Sequence, residues 1–336
     1  MPYKAIIITL FTFLTLTGVN GQDIHFSQFR HAPHSINPAL TGSFIGDSRI
    51  IVNYRSQWYS INDGYKTFGL ALERDVLGDR RFFGGFHFFY DRSGDIRYAV
   101  SKLFLSGAYR YSLMNHEFKA GVQLGWSFKQ FDWNGITTPS QFDPLKGYFN
   151  ANLPSLEPNA GATTNYPLVN LGTTYRTKLF GNILTEIGLS LFNLNQPTDE
   201  FLHEYKVSMS AGGHLIVKIP LSESLNFEPL FMIRNFENAN YLLAGSDLKI
   251  AAPDNSMGIE QLKTGLMVRS GYSRNIDAVI VHLGVETFNT EYGLSYDINI
   301  SELQQATNYQ GAFEVYFIYK GFNSAVNPSL IPCNRQ

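Results

Sequence analysis

Between residues 121 and 129 the chain reads GVQLGWSFK, and apolar and polar positions change places at every step. Val122, Leu124, Trp126 and Phe128 form one set, and Gly121, Gln123, Gly125, Ser127 and Lys129 the other. Successive side chains of a strand point to opposite faces, so a period of two predicts a strand with one apolar and one polar face. The pattern recurs. Tyr292, Leu294, Tyr296, Ile298 and Ile300 alternate with Glu291, Gly293, Ser295, Asp297 and Asn299. Val279, Val281, Leu283 and Val285 face away from His282, Gly284 and Glu286. The same holds around 183–191 and 313–320.

About fourteen such segments follow one another, near 47–58, 65–75, 81–92, 97–112, 116–129, 167–178, 181–192, 203–219, 222–236, 240–250, 262–272, 275–287, 290–300 and 311–321. Soluble sheets use strands of ~5–6 residues, whereas a strand tilted through a bilayer needs ~9–11. Most of these segments have the longer length. Glycine is frequent on their polar faces, as a crowded barrel interior requires. Aromatics stand near their ends, at Trp58, Tyr65, Tyr90, Tyr98, Tyr111, Trp133, Tyr175, Tyr241 and Tyr319, where interfacial girdles would lie.

Composition narrows the choice. Aromatics are 15% of residues and charged residues 16%, against about 25% charged in an average soluble domain. After the N-terminal leader no stretch resembles a ~20-residue apolar helix. The leader has one lysine, Lys4, an apolar run from Ala5 to Leu16, and small residues at Val19 and Gly21, which predicts a secretory signal peptide over 1–21. Gln22 then starts the mature chain, and with no cysteine there, a lipid anchor is not expected. The sole cysteine is Cys333, so neither an intrachain disulfide nor a cysteine metal cluster is expected. A net charge of −2 argues against a nucleic-acid partner.

These observations together predict an all-β protein, an antiparallel transmembrane β-barrel of about fourteen strands in the bacterial outer membrane. A soluble β-sandwich also alternates, but it fits neither the strand length nor the low charge. Closure has a physical reason: an open sheet edge in lipid leaves unpaired N–H and C=O groups, each costing several kcal/mol. The expected organisation is a signal peptide (1–21), an N-terminal plug or periplasmic segment (22–46), the barrel (47–322) and a C-terminal periplasmic tail (323–336). Short turns at 77–80, 113–116, 179–182, 220–224 and 288–291 would be periplasmic, with 251–261 a longer turn on that side. Outer loops would lie near 92–96, 130–166, 193–202, 236–240, 272–276 and 301–310.

Little in the chain suggests catalysis. His25, His31 and His34 cluster near the N-terminus, but their spacing matches no standard metal-ligand pattern. His282 and Glu286 lie four apart on one strand and both point inward; a lumenal serine would complete a hydrolase triad. A polar-lined barrel contains such pairs by chance, so an enzyme is not expected, nor a cofactor or metal. There is no Walker loop and no dinucleotide fingerprint.

The N-terminal stretch QDIHFSQFRHAPHSINPALTGS (22–43) fits neither strand nor amphipathic helix. Its prolines, Pro33 and Pro38, lack N–H donors and hold turn geometry, and Asn37 before Pro38 favours turn initiation. Rich in side-chain donors and acceptors, it suits a plug that enters the barrel from the periplasmic end, with Arg55 and Gln57 on the inner wall as partners. Low lumenal charge and this plug weigh against an open porin.

Three short motifs carry a resemblance. Gln22, Asp23, Phe26, Ser27 and Gln28, then Asn37, Pro38 and Ala39, then Tyr54, Arg55, Gln57 and Trp58 resemble, in order and spacing, the N-terminal signature of the PorP/SprF family. GLSYDINIS (293–301) is similar to a late strand of that family, whereas NYQGAFEVYF (308–317) and the ending PSLIPCNRQ depart from it. The family comprises outer-membrane proteins of the type IX secretion and gliding machinery of Bacteroidetes-type bacteria. The resemblance implies a non-enzymatic barrel that helps secrete or anchor a large surface adhesin by contact with its C-terminal secretion domain. It implies a periplasmic, peptidoglycan-linked type IX component as a further partner. The alternative function is a transport channel for small or hydrophobic molecules.

Overall fold

With one apolar and one polar face on every strand, the chain can hide its polar face only by curling the sheet upon itself. In the computed structural model fourteen antiparallel strands close into one barrel. They are β1 (Ser48–Gln57), β2 (Tyr65–Asp75), β3 (Phe82–Ser93), β4 (Tyr98–Leu113), β5 (His116–Gln130), β6 (Thr163–Leu179) and β7 (Ile183–Phe192). The second half comprises β8 (Ser210–Pro220), β9 (Leu225–Phe236), β10 (Ala239–Ala251), β11 (Ile259–Ser270), β12 (Ile276–Thr287), β13 (Thr290–Asn299) and β14 (Gln310–Gly321). Neighbours in sequence pair throughout, and β1 closes on β14 in an unbroken register from Ser48↔Gly321 to Gln57↔Ala312. The structure describes residues 25–322 apart from 59–63, 95–97, 132–137, 145, 151, 154–162, 180, 202–203, 237–238, 254–257, 271–275, 302–303 and 305–306. Residues 1–21, expected to be a signal peptide, residues 22–24 and the tail 323–336 with Cys333 lie outside the described residues. Trp133 and parts of the loops expected to face outward do too.

Burial is inverted relative to a water-soluble domain. On β5, Leu124 is 56% exposed while its neighbour Gln123 is 1% exposed. Val122, Trp126, Phe128, Ile187, Leu189, Leu266, Leu283, Tyr292 and Leu294 are likewise exposed, as a lipid-facing surface requires. Asn53, Arg55, Glu73, His87, Lys119, Glu228, Asp247, Lys263, Asp297 and Glu314 are buried inside. Among the described residues no helix is long and apolar enough to cross a membrane.

Three expectations change. The eighth strand starts at Ser210 rather than near 203, because Tyr205–Lys206 pairs instead with Thr198–Asp199 inside the preceding loop. Three girdle candidates are on the inward face: Tyr241 is buried against the ring of His25 at 5.2 Å, Tyr98 packs on Phe131 and Phe201, and Tyr65 pairs with the inward Gln57 at the rim. Position near a strand end did not distinguish the two faces; register does. Finally, the lumen is not poor in charge. The chain has few ionisable groups, but alternation sends them to the one face shielded from lipid, where they concentrate.

The two rims differ. The start of β1, the end of β14 and the described residues of the connections 76–81, 114–115, 181–182, 221–224, 252–258 and 288–289 lie at one rim. The opposite rim carries the described residues of 131–162, 193–209 and 300–309. Within 131–162, a 3₁₀ turn at Pro139–Gln141 leads into a small hairpin, Phe142–Asp143 with Tyr148–Phe149.

Candidate functional site: the filled lumen

The space inside the barrel is occupied by the chain's own N-terminal segment. Residues 25–43 contain three short 3₁₀ turns, Phe29–His31, Pro33–Ser35 and Pro38–Leu40, and nearly all are buried. Pro33 and Pro38 each open a turn, where a fixed φ helps and an N–H is not needed. The segment runs from Ser43 at the short-turn rim towards Ser27, which lies among residues near the long-loop ends of β1, β11 and β13.

Four groups of contacts hold it. The first surrounds Ser27. Glu314 accepts from the backbone N–H of Ser27 at 2.7 Å and of Gln28 at 3.0 Å. The Ser27 hydroxyl donates to Asp297 at 2.7 Å and accepts from Arg55 at 2.6 Å and Arg269 at 3.1 Å. Arg55 also pairs with Glu314 and, at 3.2 Å, with Asp297; Arg269 reaches Asp297 at 2.8 Å. Gln57 accepts from Arg55 at 3.0 Å. Two guanidinium groups and two carboxylates thus neutralise one another around a single hydroxyl, the condition under which buried charge is tolerable.

The second group lies deeper. Arg30 pairs with Glu228 and, at 3.2 Å, with Asp247. His31 stacks on Tyr316 with ring centroids 3.7 Å apart, and its Nε2 lies 2.9 Å from Glu291. Lys263 bridges Glu291 and Glu286, each at 2.7 Å. Near the short-turn rim, His34 stacks on His87 at 3.6 Å beside Glu73, which pairs with Arg49. Lys119 donates to the Thr41 carbonyl at 2.7 Å and the Ser43 hydroxyl at 2.8 Å.

The third group is a backbone fit. Asn37 accepts from Ala39 N–H at 2.9 Å, capping the last turn, and donates to the carbonyls of Thr173 and Leu189, both at 3.0 Å. The wall opposite is bare: a Cβ on Gly121 would stand 2.6 Å from the backbone of Ala39, and one on Gly172 would stand 1.9 Å from Asn37 Oδ1. The fourth group is apolar. Phe26 packs with Phe89, Phe104, Tyr166 and Leu168. Phe29, Ile36 and Leu40 pack with Leu230, Met232, Tyr241, Leu243, Met267 and Ile280. Burying each phenylalanine contributes about 1.5–3 kcal/mol.

Two histidines of the segment, His31 and His34, are held below the usual imidazole range, first by burial. His31 is lowered to about 4, with His282 and Lys263 adding to the effect and Glu291 opposing it. His34 is lowered well below 6.5, with Arg49 and Lys119 adding to the effect. The docked rings are therefore neutral, and His31 donates Nε2–H to Glu291. A released segment would take up protons near pH 6.5, so undocking gains ground as pH falls from 6.5 to about 4. Protease cleavage within 25–43 is expected to rise between pH 7.5 and pH 4.5. A His31→Phe, His34→Phe variant is expected to flatten that rise; an unchanged profile would refute the assignment.

Of the residues singled out by sequence, Phe26, Ser27, Gln28, Asn37, Pro38, Ala39 and Arg55 are brought together inside the barrel, with Gln57 at their edge. Tyr54 is exposed on the outer face, and Trp58 sits past the end of β1 against Tyr65, so neither joins them. Glu314, Asp297, Arg269, Glu291 and Glu228 were not singled out. Their signal was present as ionisable groups at the polar positions of otherwise apolar strands. Glu314 lies within NYQGAFEVYF, the segment that looked like a departure. His25, His31 and His34 point to different neighbours, and no group of three metal-ligating side chains occurs among the described residues. His282 takes Tyr316 OH at 3.1 Å and lies 3.6 Å from Asp247, while the hydroxyl of Ser295, paired opposite it on β13, has no hydrogen-bond partner.

No curated protein sequence matches the chain. Among solved structures, the CymD monoaromatic hydrocarbon channel aligns over 91% of this chain and 96% of its own, at 11% identity and a TM-score of 0.50. The toluene transporter TodX of P. putida aligns over 85% and 93%, at 10% identity and 0.45. The translocator domain of the autotransporter NalP from Neisseria meningitidis aligns over 88% and 96%, at 10% identity and 0.44. At these identities the likeness concerns the barrel fold and not its cargo. A family model described as type IX secretion system membrane protein PorP/SprF matches residues 18–319. This match over nearly the whole chain, on a closed fourteen-stranded barrel with a lipid-facing apolar exterior, shows that the protein is an outer-membrane member of the PorP/SprF family of type IX secretion system membrane proteins.

Proposed function

We propose that the protein is a binding component: it engages the C-terminal domain of a large type IX-secreted surface adhesin and helps secrete or anchor it. The observation that carries this reading is the filled lumen. Residues 26–43 make ion pairs, backbone hydrogen bonds and apolar contacts around the barrel wall, so passage of a solute would require their removal. The rims and the outer surface are then the working faces. Short turns are periplasmic and long loops extracellular in outer-membrane barrels, which directs the long-loop rim outward and makes residues 25–43 a plug entered from the periplasmic side. That outer rim presents exposed Phe142, Tyr148, Phe149 and Tyr205, residue types enriched in interface cores. The periplasmic rim would face a peptidoglycan-linked component of the machinery. No step of this role needs catalysis.

Purification from the native outer membrane in mild detergent, followed by mass spectrometry, tests the proposal. A very large surface protein, or its C-terminal fragment, is expected at near-stoichiometric yield. A barrel that stays alone even after cross-linking, and that conducts ions in a planar bilayer, would transfer support to the transport channel.

A further inference from the structure

Below the N-terminal segment, at the short-turn rim, a cavity of about 240 Å³ remains, far above the ~10–15 Å³ that one water requires. Its wall is unusually rich in cations: Arg30, Arg49, Arg176, Lys218 and Lys249, with His214, against the carboxylates of Glu186 and Glu228. Most of these cations are already committed. Arg30 and Lys249 share Glu228, and Arg176 pairs with Glu186 and, at 3.4 Å, with Glu117.

Three donors are left over, and all belong to this cavity. Lys218 has no ion-pair or hydrogen-bond partner among the described residues. Arg49, with its side chain 8% exposed, uses Nε on Glu73 and Nη1 on the Ser43 carbonyl, while its buried Nη2 has no hydrogen-bond partner. His214, with its side chain 1% exposed, has no hydrogen bond at either ring nitrogen; its nearest charged group is Glu186 at 3.5 Å. Arg49 and His214 are buried, and a buried donor left unmade costs about 1–3 kcal/mol; with the unpaired ammonium of half-buried Lys218 lining the same space, they indicate a missing acceptor. Lysine and arginine donors around a confined space suit a compact oxyanion, which arginine and lysine bind through charge-assisted hydrogen bonds.

We propose that this cavity is an oxyanion site, taking a carboxylate or phosphate group presented from the short-turn side, with Lys218, Arg49 and His214 as donors. The site is independent of what binds the opposite rim. The chemistry is shared by two sources, a free inorganic ion and an acidic side chain of a neighbouring polypeptide, and two probes separate them. Titration calorimetry of the purified full-length barrel is run with inorganic phosphate and with an amidated tri-glutamate peptide. At least one probe is expected to bind, and Lys218→Gln is expected to weaken it at least tenfold while Lys218→Arg retains it. Lys206→Gln, exposed in a loop of the opposite rim, is expected to leave it unchanged. Heat-modifiable migration confirms that each variant is a folded barrel. Stronger phosphate binding names a free ion as the source, and stronger peptide binding names a polypeptide. Absence of binding by both probes, or binding equal in Lys218→Gln and the parent, overturns the proposal.

Discussion

Replacing Asp297 with alanine is expected to release the first turns of the N-terminal segment and open the barrel. Asp297 is fully buried and receives Ser27, Arg55 and Arg269 together. Its loss leaves two buried guanidinium groups around a hydroxyl with one carboxylate, Glu314, beside the segment and Asp277 further out. Removing one partner of a buried ion pair costs about 3–5 kcal/mol, a large share of what can hold nineteen residues in place. The cost falls on the docked state, since the barrel's backbone ladder does not use these side chains. Single-channel conductance and protease cleavage after residue 25 should both rise, while heat-modifiable migration of the barrel is retained. Asp297→Asn, which keeps the shape and one acceptor, should give a smaller rise. Conductance equal to that of the parent in Asp297→Ala would refute the anchoring role.

Gly121→Val is expected to displace the Asn37–Ala39 turn from the wall by steric exclusion alone. A valine Cβ would stand 2.6 Å from the Ala39 backbone, which cannot yield as a flexible side chain can. Overpacking costs about 1–3 kcal/mol, and the displaced turn also loses both carbonyl contacts of Asn37. Gly107→Val on β4 serves as the comparison, because a Cβ there meets nothing within 4 Å; its effect should stay within about 0.5 kcal/mol. Gly172→Ala should resemble Gly121→Val, since its Cβ would collide with Asn37 Oδ1. Gly121 and Gly172 are paired directly across β5 and β6, so the two substitutions press on the same side of one turn. Equal conductance in Gly121→Val and Gly107→Val would show that the fit at this turn does not hold the segment.

Much of the architecture was legible because a strand's side-chain period is two and a membrane barrel has only two environments. Lipid on one side and a wet, crowded interior on the other enforce alternation along each strand, so strand number, order and inward faces follow from local pattern. The register of β1 puts Arg55 and Gln57 inward and Tyr54 outward on that ground alone. The pattern failed where its premise failed. Leu230, Met232, Tyr241, Leu243, Met267 and Ile280 are apolar at inward positions because Phe29, Ile36 and Leu40 cover them. Runs that lose their alternation thus mark where the N-terminal segment docks. Strand ends were blurred by the same cause: Tyr205 and Lys206 alternate as a strand would but pair within a loop.

By itself the sequence determined the class of fold, the membrane it belongs in and the family, through periodicity, strand length and three short motifs. Only the tertiary structure decided what those motifs do. Ser27 and Glu314 lie 287 positions apart and Asn37 and Leu189 lie 152 apart, and no local pattern encodes a partner at such a distance. Closing the barrel brings them together, because the charges that lipid excludes have no other place to find their counter-ions.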